Sequence, residues 1–158
     1  MRLIVFALLA LVGPAVSGAV AATVTCPDLS AAVQVAACPS EDDLKYTFTG
    51  FCSDNARMYS KDADVCTDYQ RYRHLKNVAL WESRDGDFQA YVSCALPAAR
   101  VKAARASSIE VVGKGGITRL VCGYRDGIVF TNRMRAECAV DEKNGCATSP
   151  DDCVAKCE

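Results

Sequence analysis

Three carboxylates at two predicted turns are the side chains best suited to acid–base chemistry in this sequence. Asp85 and Asp87 belong to one turn, around an Arg-Asp-Gly tripeptide, and Asp126 belongs to a second turn with the same tripeptide. Two carboxyl groups about 5 to 10 Å apart beside a groove can act as the acid and base of a hydrolase. A small secreted hydrolase is therefore an alternative function, if the fold brings the two turns together.

The single histidine, His74, is the other candidate general base. It lies in a basic stretch at the predicted end of a helix, and Asp68, six residues upstream, falls on a different helix face. A general base needs an orienting carboxylate and a nucleophile. A charged histidine is also favoured at a helix C-terminus by the backbone dipole, so we assign no catalytic residue.

Ten cysteines lie beyond residue 25. An even number of cysteines in an exported chain predicts a disulfide framework rather than metal ligands or redox thiols. No Cys-x-x-Cys pair occurs, and the acidic run Glu41–Asp43 lacks the alternating oxygens and glycine of a calcium loop. We predict no metal and no cofactor, and five disulfides among Cys26, Cys38, Cys52, Cys66, Cys94, Cys122, Cys138, Cys146, Cys153 and Cys157.

Spacing restricts the pairing of the first six cysteines. A helix between Pro27 and Ala37 would hold Cys26 and Cys38 roughly 18 Å apart, beyond the limit of about 7 Å between bonded Cα atoms. Cys94 and Cys122 occupy equivalent inward positions on two predicted strands and are a candidate pair. That choice leaves four cysteines to join the N-terminal helices: Cys26, Cys38, Cys52 and Cys66.

The tail, residues 138–158, contains the other four cysteines. Ser149 and Pro150 predict the start of a short helix that places Cys153 and Cys157 on one face. We expect the four tail cysteines to pair among themselves, with Cys153 not bonded to Cys157. The tail would then be a covalent clasp, because one short helix buries too little surface to dock alone.

The first 22 residues are typical of an export signal. Arg2 precedes an apolar run from Leu3 to Val12, and small residues around Ala21 offer a cleavage site. The run is shorter than the roughly 20 apolar residues that span a bilayer. We therefore expect a signal peptide at 1–22 and a single secreted or periplasmic domain at 23–158, with no transmembrane segment after the signal is removed.

Hydrophobic periodicity predicts helices in the N-terminal third. Ser40 and Asp43 have the spacing of a capping box, and the apolar residues between Val65 and Leu75 recur at three- and four-residue intervals. A short surface helix is predicted at Pro97–Ala106.

From Val78 onward the apolar residues alternate, which predicts strands. The predicted fold class is α+β, with N-terminal helices packed on an antiparallel sheet of about five strands. These strands are Val78–Ser83, Phe88–Cys94, Ile109–Val112, Ile117–Tyr124 and Ile128–Met134.

The charge distribution predicts one basic region. The formal net charge is only -1, but basic residues outnumber acidic ones by twelve to five between Tyr69 and Arg135. The bases are scattered without interleaved aromatic residues, which does not favour nucleic acid binding. A protein or an anionic surface ligand is the expected partner, unless the charged segments neutralise one another in the fold.

Whether the Trp81 side chain faces the core or the surface determines which residues form the candidate binding face. It is either a core residue or an exposed binding anchor; tryptophan is buried more often than exposed, which favours the core, but the pattern of its strand does not decide between the two faces. If it faces outward, it would join a tyrosine and three arginines in a face with the composition of a binding hot spot. The candidate binding residues are Trp81, Tyr91, Arg119, Arg133 and Arg135.

Three short motifs resemble those of small exported bacterial proteins of unknown function. They are Cys38-Pro39, Trp81-Glu82-Ser83 and Cys122-Gly123-Tyr124, corresponding to Cys-Pro, Trp-x-Ser and Cys-x-Tyr. The resemblance covers residues 38–135, and the tail cysteines depart from it. It implies a periplasmic or secreted α+β domain and no particular activity.

Together these observations favour a non-enzymatic secreted or periplasmic binding protein, such as an inhibitor or a host-interaction factor. Cross-linking lowers the entropic cost of presenting a surface to a partner. A hydrolase with paired carboxylates and a structural component of the envelope are the alternatives.

Overall fold

A computed structural model describes residues 22–140, 146 and 149–158. The predicted signal peptide lies outside these residues, except for Ala22, the first residue of a strand. The predicted α+β class is confirmed, because helices accompany two antiparallel sheets of six and three strands. No helix in the described ranges is long and apolar enough to cross a membrane.

The described residues form four α-helices: α1 (Glu41–Phe51), α2 (Ala63–Cys66), α3 (Tyr69–Lys76) and α4 (Ala98–Ala103). The predicted capping box starts α1, since the Ser40 hydroxyl accepts the Asp43 N–H and the Asp43 carboxylate accepts the Ser40 N–H. The predicted helix between Val65 and Leu75 is divided, because the Asp68 carboxylate caps a new helix at Gln70.

The helix predicted between Pro27 and Ala37 is wrong. The chain instead forms β1 (Ala22–Thr25), a 3-10 turn at Leu29–Ala31 and β2 (Val33–Gln34). Asp28 caps the 3-10 turn through Ser30, and the valine-rich segment that follows pairs with a neighbouring strand. The apolar spacing fits a helix, but hydrogen bonds to another strand decide the outcome.

The larger sheet has the order β2-β3-β4-β7-β6-β5. All five predicted strands are present, and β2 adds a sixth at the edge. The Gly115-Gly116 turn between β5 and β6 has positive φ at both residues (61° and 77°), as a two-residue hairpin requires. The strands are β3 (Val78–Glu82), β4 (Gln89–Ser93), β5 (Ala106–Lys114), β6 (Ile117–Tyr124) and β7 (Val129–Met134).

The smaller sheet, with the order β1-β9-β8, contains the tail strands β8 (Cys138–Val140) and β9 (Val154–Cys157). The helix predicted after Ser149 is reduced to a 3-10 turn at Pro150–Asp152. β9 is extended because it pairs with β1 on one side and β8 on the other.

The main core lies between the inner face of the larger sheet and the smaller sheet, with α4 and the 3-10 turn at Leu29 beside it. Residues that alternate along β6 and β7 turn their side chains inward. The most deeply buried side chains are Phe130, Leu29, Leu120, Val101, Cys122 and Cys153.

All ten cysteines are bonded. The pairs Cys138–Cys157 and Cys146–Cys153 confirm the predicted clasp. The suggested Cys94–Cys122 pair is wrong, since the bonds are Cys26–Cys122 and Cys38–Cys94.

The prediction that four cysteines join the N-terminal helices holds only for Cys52–Cys66. Cys26 and Cys38 lie outside any helix, and each ties the N-terminal segment to a part of the larger sheet. Five disulfides in a small protein are compatible with an oxidising compartment.

Tyr124→Phe is expected to change how stability depends on alkaline pH. Burial, followed by the charge of Asp28, raises the pKa of Tyr124, and its hydroxyl donates to the Pro27 carbonyl at 2.7 Å. The phenol has a pKa of about 10 in the unfolded chain and a higher pKa in the folded protein. The stability contributed by the neutral phenol is therefore fully present below about pH 10 and is lost as the pH rises from there through the pKa of the folded state. The variant should lose about 1 kcal/mol at neutral pH and show a weaker decline above pH 10.

Urea unfolding from about pH 8 to about pH 12 measures this difference. Tyr91→Phe, at a tyrosine that is 74% exposed, is the control and should follow the unmodified protein. An equal alkaline decline in the Tyr124 and Tyr91 variants would contradict the assignment.

Candidate functional site

A cleft of about 690 Å³ lies on the outer face of the larger sheet, the face turned away from the main core. We call it the outer cleft. It lies over the junction between β4 and β7, which pair at only one position, Gln89 with Thr131. Its lining residues are Leu80, Gly86, Asp87, Gln89, Ala90, Tyr91, Val129, Thr131 and Arg133.

Tyr91 is the most exposed aromatic side chain in the outer cleft, at 74%. It lies opposite Leu80 on β3, so the two side chains form an apolar area on this face. Its neighbours in sequence, Ala90 and Val92, are buried, which fixes the direction of the ring by the two-residue period of a strand. Tyrosine presents a large contact area at low entropic cost.

Arg133 supplies the positive charge of the outer cleft. Its register partner is Arg119 on β6, and both side chains are exposed. Like charges directly opposite on neighbouring strands destabilise a sheet. Among the described residues, no carboxylate forms a salt bridge with either arginine. The arrangement is suited to binding an anion between them.

The structure unites only part of the predicted binding face. Trp81 is 4% exposed and belongs to the core, because it pairs with Ala90, whose side chain also faces inward. Arg135 follows β7 and lines a separate concavity beside the β5–β6 turn. Of the predicted residues, Tyr91 and Arg133 line the outer cleft, and Arg119 adjoins it through Arg133.

The three candidate carboxylates have different surroundings. Asp85 accepts hydrogen bonds from the Ser83 hydroxyl and the Asp87 N–H, which lower the pKa of its carboxyl. Arg100 forms two hydrogen bonds of 3.1 Å to Asp126. Only Asp87 lines the outer cleft, so the paired arrangement that hydrolysis requires is not assembled there.

Other polar clusters have structural explanations. His74 lies in the last turn of α3, beside Arg73 and Lys76, as its sequence position predicts. Glu41 of α1 accepts hydrogen bonds from Arg73 and, with a smaller effect, from Tyr69 of α3; both lower the pKa of its carboxyl and join the two helices. Within the ranges that the structure describes, no group of three or more metal-ligating side chains occurs.

Sequence reasoning missed the neutral lining of the outer cleft, above all Gln89, Val129 and Thr131. The strand period contains the signal: Gln89 is two residues from Tyr91, and Thr131 and Val129 continue the period of Arg133. What the period does not contain is the strand order, which places β7 beside β4. Comparisons with family models, curated proteins and solved structures find no match for this chain.

Proposed function

We propose that this chain is a secreted or periplasmic, non-enzymatic binding protein that holds an acidic segment of a partner protein in the outer cleft. The observation that carries the proposal is the Arg119–Arg133 pair, two exposed like charges in direct opposition on the sheet face that also presents the exposed Tyr91. A carboxylate between the two guanidinium groups would relieve their repulsion and form charge-assisted hydrogen bonds.

The neutral residues of the outer cleft support an extended segment as the bound form. Tyr91, Leu80 and Val129 offer apolar contacts, and the amide of Gln89 is already engaged, since it donates to Glu82 at 3.0 Å. Tyrosine and arginine are the residue types that dominate binding energy in protein interfaces. We therefore expect an apolar or aromatic side chain over Tyr91 and an acidic one near Arg133.

The acidic residues of this face limit where the partner's carboxylates can lie. Asp87 lines the same cleft, and Glu110 pairs with Val121, diagonal to Arg119. Among the described residues, neither carboxylate forms a salt bridge with Arg119 or Arg133, so no ion pair neutralises the two guanidinium groups. Because β4 and β7 are antiparallel and Gln89 pairs with Thr131, Asp87 lies at the Arg133 end of the cleft and Tyr91 lies at the Val129 end. Repulsion from Asp87 would therefore direct a partner carboxylate to the side of Arg133 that faces Arg119.

Disulfides support the rigidity that such a surface requires. β4, which presents Tyr91, leads directly to Cys94, bonded to Cys38. β6, which presents Arg119, contains Cys122, bonded to Cys26. A surface that is already ordered loses less entropy on binding.

Site-specific photo-crosslinking in the producing cells tests the proposal. A photoreactive phenylalanine analogue at position 91 should give a protein adduct in the exported fraction, and the Arg119→Ser, Arg133→Ser variant should reduce it by roughly tenfold, corresponding to about 1.4 kcal/mol. The linked peptide, identified by mass spectrometry, should be rich in aspartate and glutamate.

Tyr46 provides the matched control, because it is 83% exposed but belongs to α1. The analogue at position 46 should not give the same adduct. The proposal is wrong if both positions capture the same proteins, if the linked segment is basic, or if the double arginine variant retains the adduct.

A further inference from the structure

The strand β5 is a long edge of the larger sheet. It has nine residues and one strand neighbour, β6. The opposite edge, β2, has only two residues. An exposed edge strand presents backbone groups that can pair with another chain, and proteins usually shorten, bend or charge such edges.

The hydrogen-bond pattern identifies the groups at this edge. The Tyr124 N–H donates to the Ile128 carbonyl at the end of the β6–β7 pair, and hydrogen-bonded pairs alternate along an antiparallel ladder. Even-numbered residues of β6 therefore bond to β7, and odd-numbered residues bond to β5. By register, even-numbered residues of β5 face β6, so Ile109, Val111 and Gly113 direct their N–H and C=O groups to the free edge.

No described residue forms a hydrogen bond with those backbone groups. The side chains of Ile109 and Val111 turn to the core, whereas those of Glu110, Val112 and Lys114 lie on the outer face and are exposed. Neither Glu110 nor Lys114 forms a salt bridge within the described ranges. The edge therefore offers unpaired backbone groups. Its exposed face carries an acidic, an apolar and a basic side chain in that order: Glu110, Val112 and Lys114.

We propose that two copies of this chain associate through their β5 edges, antiparallel and with Val112 at the two-fold axis. In this register Val112 faces Val112 of the second copy, and Glu110 faces Lys114 of the second copy on both sides of the axis. Val111 and Gly113 exchange backbone hydrogen bonds with their counterparts. The contact is isologous, as in most homodimers, and it makes one continuous sheet.

Charge decides against the neighbouring registers. Centring the axis on Glu110 places two carboxylates directly opposite, which is destabilising. Centring it on Val111 places Glu110 opposite Val112 and leaves both charges without partners. Only the register about Val112 pairs an apolar residue with itself and each acid with a base.

The expected association is weak. One added strand pair is small compared with a standard interface of about 1,600 Å², so we expect a dissociation constant in the micromolar range or above. The inference rests on other observations than the function proposed above, namely the backbone groups and charges of β5. The two surfaces adjoin, because Arg119 of β6 is the register partner of Val112. The test below measures association of this chain alone, so either proposal can fail without the other.

Sedimentation of the exported, disulfide-bonded protein from about 1 µM to about 1 mM tests the proposal. The unmodified protein should change from monomer to dimer over this range. Glu110→Lys and Lys114→Glu should each raise the dissociation constant by roughly tenfold, because each replaces two attractive cross-strand pairs by repulsive ones. An equimolar mixture of the two variants should dimerise again, since every 110–114 pair in the heterodimer joins opposite charges.

Lys45→Glu is the control for net charge, because Lys45 is exposed on α1. It should associate like the unmodified protein, and circular dichroism should show that all variants are folded. A monomer at about 1 mM, a dimer insensitive to the charges at 110 and 114, or a mixture that remains monomeric would overturn the proposal.

Discussion

Replacing Cys26 and Cys122 together by alanine is expected to lower the free energy of unfolding by about 4.7 kcal/mol or more. The bond joins residues 96 apart in sequence, so it removes more conformational freedom from the unfolded chain than the other disulfides do. Both cysteines are buried, and Cys122 is fully enclosed, so the loss of packing adds to the effect. A loss of this size removes a large part of the 5–15 kcal/mol typical of a domain.

Equilibrium unfolding in urea, followed by the fluorescence of the single tryptophan, measures the change. Trp81 is buried in the main core, so its emission should report the loss of that core. The matched control is the alanine pair at Cys52 and Cys66, which are also buried but only 14 residues apart. It should cost about 3 kcal/mol, and equal losses from the two pairs would argue against the loop-length explanation.

The contrast between local and distant cysteines also explains which disulfides the sequence predicts. The tail cysteines lie within twenty residues of one another, so few alternatives exist and the predicted set is confirmed. Cys26 and Cys38 bond across 96 and 56 residues. Those pairs depend on which strands become neighbours, and spacing along the chain does not contain that information.

Two helix predictions fail because the same apolar spacing suits either a helix or a strand. Cys153 and Cys157 lie four residues apart, as on one helix face, but Ala155 between them is buried as well. Burial at every second residue is the strand period. The two-residue period of Cys153, Ala155 and Cys157 identifies a strand only once β1 and β8 are known to pair with β9 on its two sides.

Half of the candidate site follows from the sequence and half does not. The outward direction of Tyr91 is predictable, because Ala90 and Val92 clearly belong to the core side of β4. The direction of Trp81 is not, since the residues from Val78 to Trp81 are all apolar and both faces of β3 look hydrophobic. Pairing with β4 decides it, by placing Trp81 opposite Ala90.

Replacing Phe130 by alanine is expected to lower the free energy of unfolding by about 3–5 kcal/mol. Phe130 is the second residue of β7 and is fully buried. Its ring packs edge-on against Tyr124, with 5.9 Å between centroids, and aromatic pairs of this kind contribute beyond their buried area. Val129→Ala, at the adjacent and 43% exposed residue, should change stability by no more than about 0.5 kcal/mol.

Phe130 also positions one wall of the outer cleft. β4 and β7 pair only at Gln89 and Thr131, so the packing of Phe130 against the core, more than a continuous ladder, holds β7 beside β4. Leu120→Ala is the matched variant, because Leu120 is equally buried but belongs to β6. Both variants should lose comparable stability, but only Phe130→Ala should increase amide hydrogen exchange at Gln89 and Thr131 selectively. An equal increase in both variants would show that the wall depends on the core as a whole and not on Phe130.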